Sequence, residues 1–259
     1  MIPEYEPVGR AVYPSLAGKR VLVTGGGSGI GAGIVTGFAE QGADVTFFDI
    51  ARDDSMALVE RLHDGHRKAC YEHVDLKDIS ALQGTIARLI DRSGGFDILV
   101  NNAANDDRHG IDDITEAYWD DRLSVNLKHM FFAAQAVIPA MRARGNGAII
   151  NLGSISWHLG LNDLVLYQTC KAAIEGLTRS LARDLGRDNI RATCVIPGNV
   201  RTPRQLKWYS PAGEAEIVAA QCMDGRLMPQ DVAAMVLFLA SDDARLVTGH
   251  SYFVDAGWR

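Results

Sequence analysis

Near its start the chain reads Arg20-Val21-Leu22-Val23-Thr24-Gly25-Gly26-Gly27-Ser28-Gly29-Ile30-Gly31, and an apolar pattern of helical period follows at 30–41. The apolar run predicts a buried strand, and the glycines predict a tight turn that lets the backbone approach a bound group. Anions bind well where such a turn leads into a helix N-terminus. The combination predicts the first unit of a dinucleotide-binding sheet. Strict G-x-G-x-x-G spacing is absent and no Gly-Lys-Ser/Thr follows, which argues against a P-loop.

Short apolar runs alternate with helical segments along the rest of the chain. Strands are predicted at 20–23, 44–49, 69–74, 97–100, 148–152, 191–196 and 252–254, and helices at 30–41, 78–92, 115–141, 164–185 and 231–239. This alternation predicts an α/β fold with a doubly wound, mostly parallel, seven-stranded sheet of Rossmann type and helices on both faces. We expect an N-terminal extension at 1–18 and a single domain at 19–259, in which 203–226 form a helical insertion or lid on the substrate side.

The composition argues against several classes of function. The 259 residues include 26 Lys and Arg against 32 Asp and Glu, a formal net charge of −6, and the basic residues form no long run, so we expect no nucleic-acid partner. We also expect no membrane span and no secretory signal, because the apolar stretches are short. The four cysteines form no Cys-x-x-Cys pair, so we expect buried or half-buried free thiols, no bound metal and a cytoplasmic location.

Asp49 ends the second predicted strand, downstream of the glycine turn. In dinucleotide-binding sheets a carboxylate at this place accepts hydrogen bonds from ribose hydroxyls and repels a 2′-phosphate. Asp49 therefore favours NAD as the cofactor. An aspartate that only caps a strand end would look the same in the sequence, and the nearby Arg52 keeps NADP open.

Tyr167 and Lys171 stand four residues apart in a predicted helix, so their side chains share one face. A free phenol has a pKa of about 10 and is a poor base at neutral pH. A nearby ammonium group and a positively charged nicotinamide would favour the phenolate and lower this pKa. The pair is thus a candidate proton acceptor, although a Tyr and a Lys at this spacing are also common on exposed helix faces.

Further short motifs follow one another along the chain. They are Thr24-Gly25 with Gly29-Ile30-Gly31, Asp75-Leu76, Asn101-Asn102-Ala103-Ala104, Asn126 in Ser124-Val125-Asn126-Leu127, Ser154, Tyr167 with Lys171, Pro197-Gly198 with Thr202, and Thr248-Gly249 with Val254-Asp255-Ala256-Gly257. From Lys19 onward this ordered set resembles the short-chain dehydrogenase/reductase family over nearly the whole chain. The resemblance implies an oxidoreductase in which a nicotinamide dinucleotide accepts a hydride.

The resemblance also implies a role for each matching residue. Ser154 would hydrogen-bond the reacting oxygen, Tyr167 would accept the substrate proton, Lys171 would lower the pKa of Tyr167, and Asn126 would position a water molecule. The implied cofactor contacts are Gly25, Ser28, Gly29, Ile30, Asp49, Asp75, Leu76, Asn102, Ala103, Tyr167, Lys171, Pro197, Gly198, Val200 and Thr202. Ala104 and Gly153 depart from the family pattern, which more often has glycine and serine there, and Ser156 is a second hydroxyl near Ser154.

The loops predicted to follow the fourth, fifth and sixth strands are rich in polar and aromatic side chains. A steroid or a long acyl chain favours an apolar lining, whereas a sugar needs several hydrogen-bond partners and an aromatic surface. We therefore expect substrate contacts from Asn105, Ser154, Ser156, Trp157, Tyr167, Asn199, Arg204 and Trp208.

The strings at 105–109, 153–161, 197–200 and 255–259 also resemble those of sugar dehydrogenases within the family. This finer resemblance implies NAD-dependent oxidation of the anomeric C1 hydroxyl of an aldopentose, first of all D-xylose to D-xylonolactone. The alternatives are L-arabinose or another aldose, an NADPH-dependent 3-oxoacyl reductase, and a non-catalytic dinucleotide sensor. The family resemblance further implies a homotetramer, for which Leu164, Leu166, Leu177 and Leu181 would provide a face unless they pack in the core.

Overall fold

Seven strands form one parallel sheet in the computed structural model, which describes residues 10–65, 67–207 and 210–258. The strands are β1 (Arg20–Thr24), β2 (Asp44–Asp49), β3 (Ala69–His73), β4 (Ile98–Asn101), β5 (Gly147–Leu152), β6 (Ile190–Pro197) and β7 (Ser251–Val254). Their order is β3-β2-β1-β4-β5-β6-β7, and every neighbouring pair is parallel. The predicted doubly wound, seven-stranded α/β sheet in a single domain is confirmed.

Nine α-helices of the described residues accompany the sheet. They are α1 (Gly29–Glu40), α2 (Arg52–Asp64), α3 (Ile79–Ser93), α4 (Glu116–Leu123), α5 (His129–Arg144), α6 (Ser156–Leu159), α7 (Val165–Leu185), α8 (Pro211–Ala219) and α9 (Pro229–Ala240). N-cap side chains cap three of them: Asp78 accepts from the Ala81 N–H before α3, Thr115 from the Tyr118 N–H before α4, and Ser210 from the Gly213 N–H before α8. A π-helical turn, Ser124–Lys128, joins α4 to α5, so the predicted helix at 115–141 is one helical run with an insertion.

The helices cover both faces of the sheet. In β1, Val21 and Val23 pack with α1 and α9 on one face, whereas Leu22 packs with α3 and α5 on the other. All three side chains are fully buried. A strand that is covered on both faces reads as a continuous apolar run, and this is the pattern that predicted the parallel sheet.

Residues 1–18 and 203–226 are the two segments that the sequence set apart from the regular alternation. The described part of the first contains a 3₁₀ turn, Pro14–Leu16, whose Leu16 is fully buried in the core. The described part of the second contains a 3₁₀ turn, Gln205–Lys207, and α8. The described part of the first segment therefore packs into the core of the domain, and a lid function for 203–226 stays a prediction.

The burial of the four cysteines and of four leucines can be compared with the predictions. Cys170 and Cys194 are buried free thiols, but Cys70 and Cys222 are exposed, so the expectation of buried or half-buried cysteines is wrong for two of the four. Leu164, Leu166 and Leu181 are buried within the chain itself and Leu177 is partly buried, so core packing accounts for all four. No helix among the described residues has both the length and the apolar character needed to cross a bilayer.

Candidate active site

A cleft of about 570 Å³ opens at the carboxyl ends of the strands. It lies where β1 has β2 on one side and β4 on the other, which is the point where strand order reverses and where sheets of this type bind ligands. Its volume suits a small-molecule site. All of the residues predicted to contact the cofactor lie on its wall, from Gly25 on one side to Thr202 on the other.

The glycine turn between β1 and α1 has the shape of an anion cradle. Within the described chain Ser28 makes no side-chain cap on α1, so the first N–H groups of the helix face the cleft without that partner. Gly25 has φ +67°, and a Cβ there would lie 2.7 Å from Ala103 Cα. Asn102 Nδ2 donates to the carbonyl oxygens of Gly25 (2.8 Å) and Thr24 (3.1 Å). Asn102 thus fixes the turn, whose close approach fits a pyrophosphate.

Asp49 is held at the wall of the cleft by backbone donors. Its Oδ2 accepts from Gly27 N and its Oδ1 accepts from Ala51 N, each at 2.8 Å. The carboxylate is therefore fixed in orientation and keeps lone pairs for the hydroxyls of a ribose. Arg52 is exposed and is not among the described residues that line the cleft.

Ser154, Tyr167 and Lys171 meet in the cleft because the end of β5 and the first turns of α7 face each other there. The Ser154 hydroxyl, through hydrogen bonding, acts to lower the pKa of Tyr167. Ser154 Oγ also donates to Ser156 Oγ at 3.0 Å. Lys171 Nζ lies 5.4 Å from the centre of the Tyr167 ring and donates to the Leu152 carbonyl oxygen at 2.8 Å. Both serine hydroxyls line the cleft, and Ser154 is the one that acts on the pKa of Tyr167.

Burial has the largest effect on the electrostatics of this group. Burial, together with the nearby carboxylate of Asp106, raises the pKa of Tyr167, and this outweighs the lowering by the Ser154 hydrogen bond and by Arg204. Burial also lowers the pKa of Lys171 to about 8. The lowering of the Tyr167 pKa by Lys171 together with a positively charged nicotinamide stays a prediction. In the ligand-free protein the desolvation of the buried phenol has the largest effect on its pKa, and the Lys171 amino group donates to the Leu152 carbonyl oxygen.

Asn126 lies in the π-helical turn and is fully buried behind the cleft. Its Oδ1 accepts from Asn105 N (2.8 Å), and its Nδ2 donates to the Asn105 carbonyl oxygen (3.1 Å). Such insertions often occur at functional sites, and this one turns the amide toward the Asn105 backbone. Among the described residues, Asn126 is the one predicted catalytic residue that does not line the cleft.

His129, at the start of α5, is a buried residue that the sequence analysis missed. Its Nε2 lies 3.2 Å from the carbonyl oxygen of Ala103, a cleft residue. Burial lowers the pKa of His129 to about 4, so the ring is neutral at physiological pH and Nε2 can donate to Ala103. An isolated histidine in an apolar helical segment gives no signal in the sequence that would mark this contact.

The predicted substrate residues divide into three groups. Asn105, Ser156, Asn199 and Arg204 line the cleft together with Ser154 and Tyr167. Trp157 does not line it, because its Nε1 donates to Glu175 Oε1 at 2.7 Å and its ring packs on His158. Trp208 lies outside the described residues.

Arg204 lines the cleft and is already paired. Its Nε lies 2.9 Å from Asp106 Oδ1, and its guanidinium also contacts Asp107 Oδ1 at 2.6 Å. Gln205 Nε2 donates to Asp106 Oδ2 at 3.0 Å. These bonds join the loop after β4 to the segment after β6. Asp106 and Gln205 are cleft residues that the predicted substrate set did not include.

Trp258 is a further cleft residue absent from the predicted set. It is partly buried against the apolar cluster that contains Ile155 and Ile196. Its position follows from the turn after β7, where Asp255 Oδ1 accepts from Gly257 N (2.9 Å) and the Trp258 N–H donates to the Asp255 carbonyl oxygen (3.2 Å). The sequence singled out this terminal string, but not the tryptophan as a lining residue.

The two departures from the family pattern have structural explanations. Ala104 is not among the described residues with positive φ, so its backbone conformation does not require glycine. At Gly153 an added Cβ would collide with Ile196 Cδ1 and lie 3.0 Å from Cys194 Sγ. The side chains of β6 therefore exclude a serine at position 153.

Comparisons with known proteins agree with this geometry. The family model described as "Enoyl-(Acyl carrier protein) reductase" matches residues 25–259. The chain is 62% identical over 249 residues to a D-xylose 1-dehydrogenase of Caulobacter vibrioides, covering 96% of this chain and 99% of that protein. It is 42% identical over 247 residues to a probable galactose dehydrogenase of Rhizobium meliloti, covering 95% and 96%.

A solved structure gives the same result. It is titled as a short chain dehydrogenase/reductase family protein, superposes with a TM-score of 0.82, and is 32% identical, covering 94% of this chain and 98% of that one. Fold, cleft and sequence similarity thus agree over nearly the whole length of the chain. The protein belongs to the short-chain dehydrogenase/reductase family, whose members use a nicotinamide dinucleotide.

Proposed function

We propose that the protein oxidises the anomeric C1 hydroxyl of D-xylose to D-xylonolactone with NAD. The observation that carries the proposal is the meeting of Ser154, Tyr167 and Lys171 in a cleft whose substrate side is polar. The 62% identity to a D-xylose 1-dehydrogenase, at nearly full coverage of both chains, supports the choice of sugar.

The residues of the cleft divide the chemistry between them. When bound, the nicotinamide dinucleotide supplies the acceptor for the hydride that leaves C1. Ser154 donates a hydrogen bond to the C1 oxygen and orients it toward Tyr167. Tyr167 in its phenolate form accepts the hydroxyl proton, and the raised pKa of this phenol means that alkaline pH populates the reactive form. Lys171 holds positive charge one helical turn away.

The choice of NAD rests on Asp49. Two backbone N–H groups fix its carboxylate on the cleft wall, where it would accept hydrogen bonds from the ribose hydroxyls. A 2′-phosphate at that place would meet a fixed negative charge. The exposed Arg52 lies off the wall and does not offset this repulsion.

The choice of a sugar rests on the polar groups opposite the cofactor residues. Asn105, Asp106, Asn199 and Gln205 provide donors and acceptors, and Trp258 provides an apolar ring for the C–H face of a pyranose. A long acyl chain would offer these half-buried polar groups no hydrogen bonds in place of those that water makes, which opposes its binding. A galactose dehydrogenase among the relatives keeps other aldoses as competing substrates.

Initial rates on D-xylose, L-arabinose, D-galactose, D-glucose and an acetoacetyl thioester, each with NAD(H) and NADP(H), test the proposal. We expect the highest kcat/KM with D-xylose and NAD. A higher kcat/KM for another aldose would make that aldose the substrate. A preference for the thioester with NADPH would identify a 3-oxoacyl reductase instead. No turnover with any of these substrates would favour a non-catalytic dinucleotide sensor.

We also propose that the enzyme works as a cytoplasmic homotetramer. Support comes from large apolar side chains that the single chain leaves exposed, namely Trp119, Phe131, Val165 and Phe253. Such side chains are typical of faces that become buried between subunits. Sedimentation equilibrium of the purified protein should give four times the chain mass, and a monomer mass would contradict the assembly.

A further inference from the structure

The helix that carries Tyr167 lacks a cap of its own. The residue before α7 is Leu164, which has no side-chain acceptor and leaves the first N–H groups of the helix to other partners. One of these, the Leu166 N–H, donates to His109 Nε2 at 3.2 Å, although the two residues are 57 positions apart in the chain. A histidine from the loop after β4 therefore takes the place of the usual Ser, Thr, Asp or Asn cap.

His109 also holds the turn that precedes the helix. Its backbone N–H donates to the Asp163 carbonyl oxygen at 2.9 Å. Asp163 has φ 60°, a left-handed conformation that is uncommon for residues other than glycine. Arg108 Nη1 donates a hydrogen bond to the Asn162 carbonyl oxygen at 2.7 Å. Arg108 and His109 thus hold both the turn at Asn162–Asp163 and the first turn of α7.

The orientation of the His109 ring is set by its other partners. Its side chain is only slightly exposed, and Nδ1 lies 3.0 Å from the Asp107 carbonyl oxygen and 3.3 Å from the Tyr118 hydroxyl. Because Nε2 accepts from Leu166, the proton of a neutral ring is on Nδ1, which donates to Asp107. The ring therefore links the loop that carries Asn105 and Asp106 to the helix that carries Tyr167.

We propose that His109 is a positioning residue for the reaction: it caps α7 through Leu166 and so places the adjacent Tyr167 against Ser154. His109 is not among the residues that line the cleft, so we assign it a positioning role and not a catalytic one. Its effect on turnover rests on the proposed function of Tyr167. Its effect on the start of α7 does not, and the two can be measured separately.

Three variants at this position separate capping from simple packing. His109→Gln keeps an acceptor at a reach similar to Nε2, whereas His109→Asn is too short to reach Leu166 and His109→Ala has no acceptor. We expect kcat to fall about ten- to hundredfold in the Asn and Ala variants, with the KM for NAD and for sugar unchanged, because a displacement of the reacting group of about 1 Å has effects of this size. His109→Gln should regain most of kcat, and His63→Ala, which changes an exposed histidine on α2, should match the wild type.

Amide hydrogen exchange of the ligand-free protein gives a readout that needs no turnover. Peptides covering 164–170 should exchange about five- to tenfold faster in the Asn and Ala variants than in the wild type and His109→Gln, as expected for the loss of one hydrogen bond. Equal exchange in all four proteins would overturn the capping role. A kcat loss as large in the Gln variant as in the Ala variant, or a loss confined to KM, would overturn the positioning role. If the wild type turned over no sugar, the proposed function would fail while the exchange comparison still tested the cap.

Discussion

Replacing Lys171 by methionine should stabilise the ligand-free protein while it removes most of its activity. Burial lowers the pKa of Lys171 from 10.5 to about 8. Because the folded-state pKa lies below the unfolded value, the charged lysine opposes folding below pH 8, and this opposition disappears as the pH rises through the interval between the two values. The linked free energy is about 3 kcal/mol.

Methionine fills a similar volume without the charge, but it loses the hydrogen bond to the Leu152 carbonyl oxygen, which is worth about 1 kcal/mol. The net gain of about 2 kcal/mol corresponds to a rise in Tm of about 4 °C for a domain of this size. The same change should lower kcat by about 10²- to 10⁴-fold, since the amino group beside Tyr167 is lost in both its charged and its neutral form.

Differential scanning calorimetry at pH 7 and at pH 10 measures the stability effect. The rise in Tm should be present at pH 7 and much smaller at pH 10, where the wild-type lysine is largely neutral. Lys128→Met is a matched control, because Lys128 is exposed in the π-helical turn and its replacement should leave Tm unchanged at both pH values. A Lys171→Met protein less stable than the wild type at pH 7, or a gain that does not depend on pH, would refute the reasoning.

Three further predictions concern other titratable groups of the site. The rate of sugar oxidation should rise from neutral toward alkaline pH, because the pKa of Tyr167 is raised; a pH profile of kcat that peaks on the acid side would contradict this. Asp49→Asn should raise the kcat/KM for NADP relative to that for NAD by about tenfold or more. Each tenfold corresponds to about 1.4 kcal/mol of repulsion that the 2′-phosphate no longer meets. An unchanged ratio would show that Asp49 does not determine the choice of cofactor. The folded-state pKa of His129 is about 4, below its unfolded value, so its contribution to stability is present above pH 6.5 and is lost as the pH falls toward 4. Denaturant midpoints at pH 7 and pH 4.5 should therefore differ less in His129→Gln than in the wild type, and an equal difference would show that His129 is not buried and neutral.

The sequence predicted the sheet well because both of its faces are covered. The strand boundaries agree to within about two residues, as for β2 at Asp44–Asp49. Helix α2 was not predicted, because only Ser55, Leu58 and Leu62 of its thirteen residues are buried and the apolar pattern is correspondingly weak. The π-helical turn also left no pattern, since an insertion of one residue does not interrupt a helical run.

The site could be predicted where its residues form local motifs and not where they depend on distant partners. Every predicted cofactor residue lies on the cleft wall, because these residues follow strand ends that the fold brings together. Trp157 turns away because Glu175, on another helix, accepts its N–H. Arg204 is paired with Asp106, almost a hundred residues earlier in the chain. Spacing in the sequence carries no information about such partners.

Transfer of the substrate proton to Tyr167 is tested most directly by the rate of NADH formation from D-xylose and NAD in the wild type and in Tyr167→Phe. Fluorescence titration with NADH should show that both proteins bind the nucleotide. We predict that the wild type turns over D-xylose and that the phenylalanine variant is slower by about 10²- to 10⁴-fold. Equal rates in the two proteins would contradict the proposal.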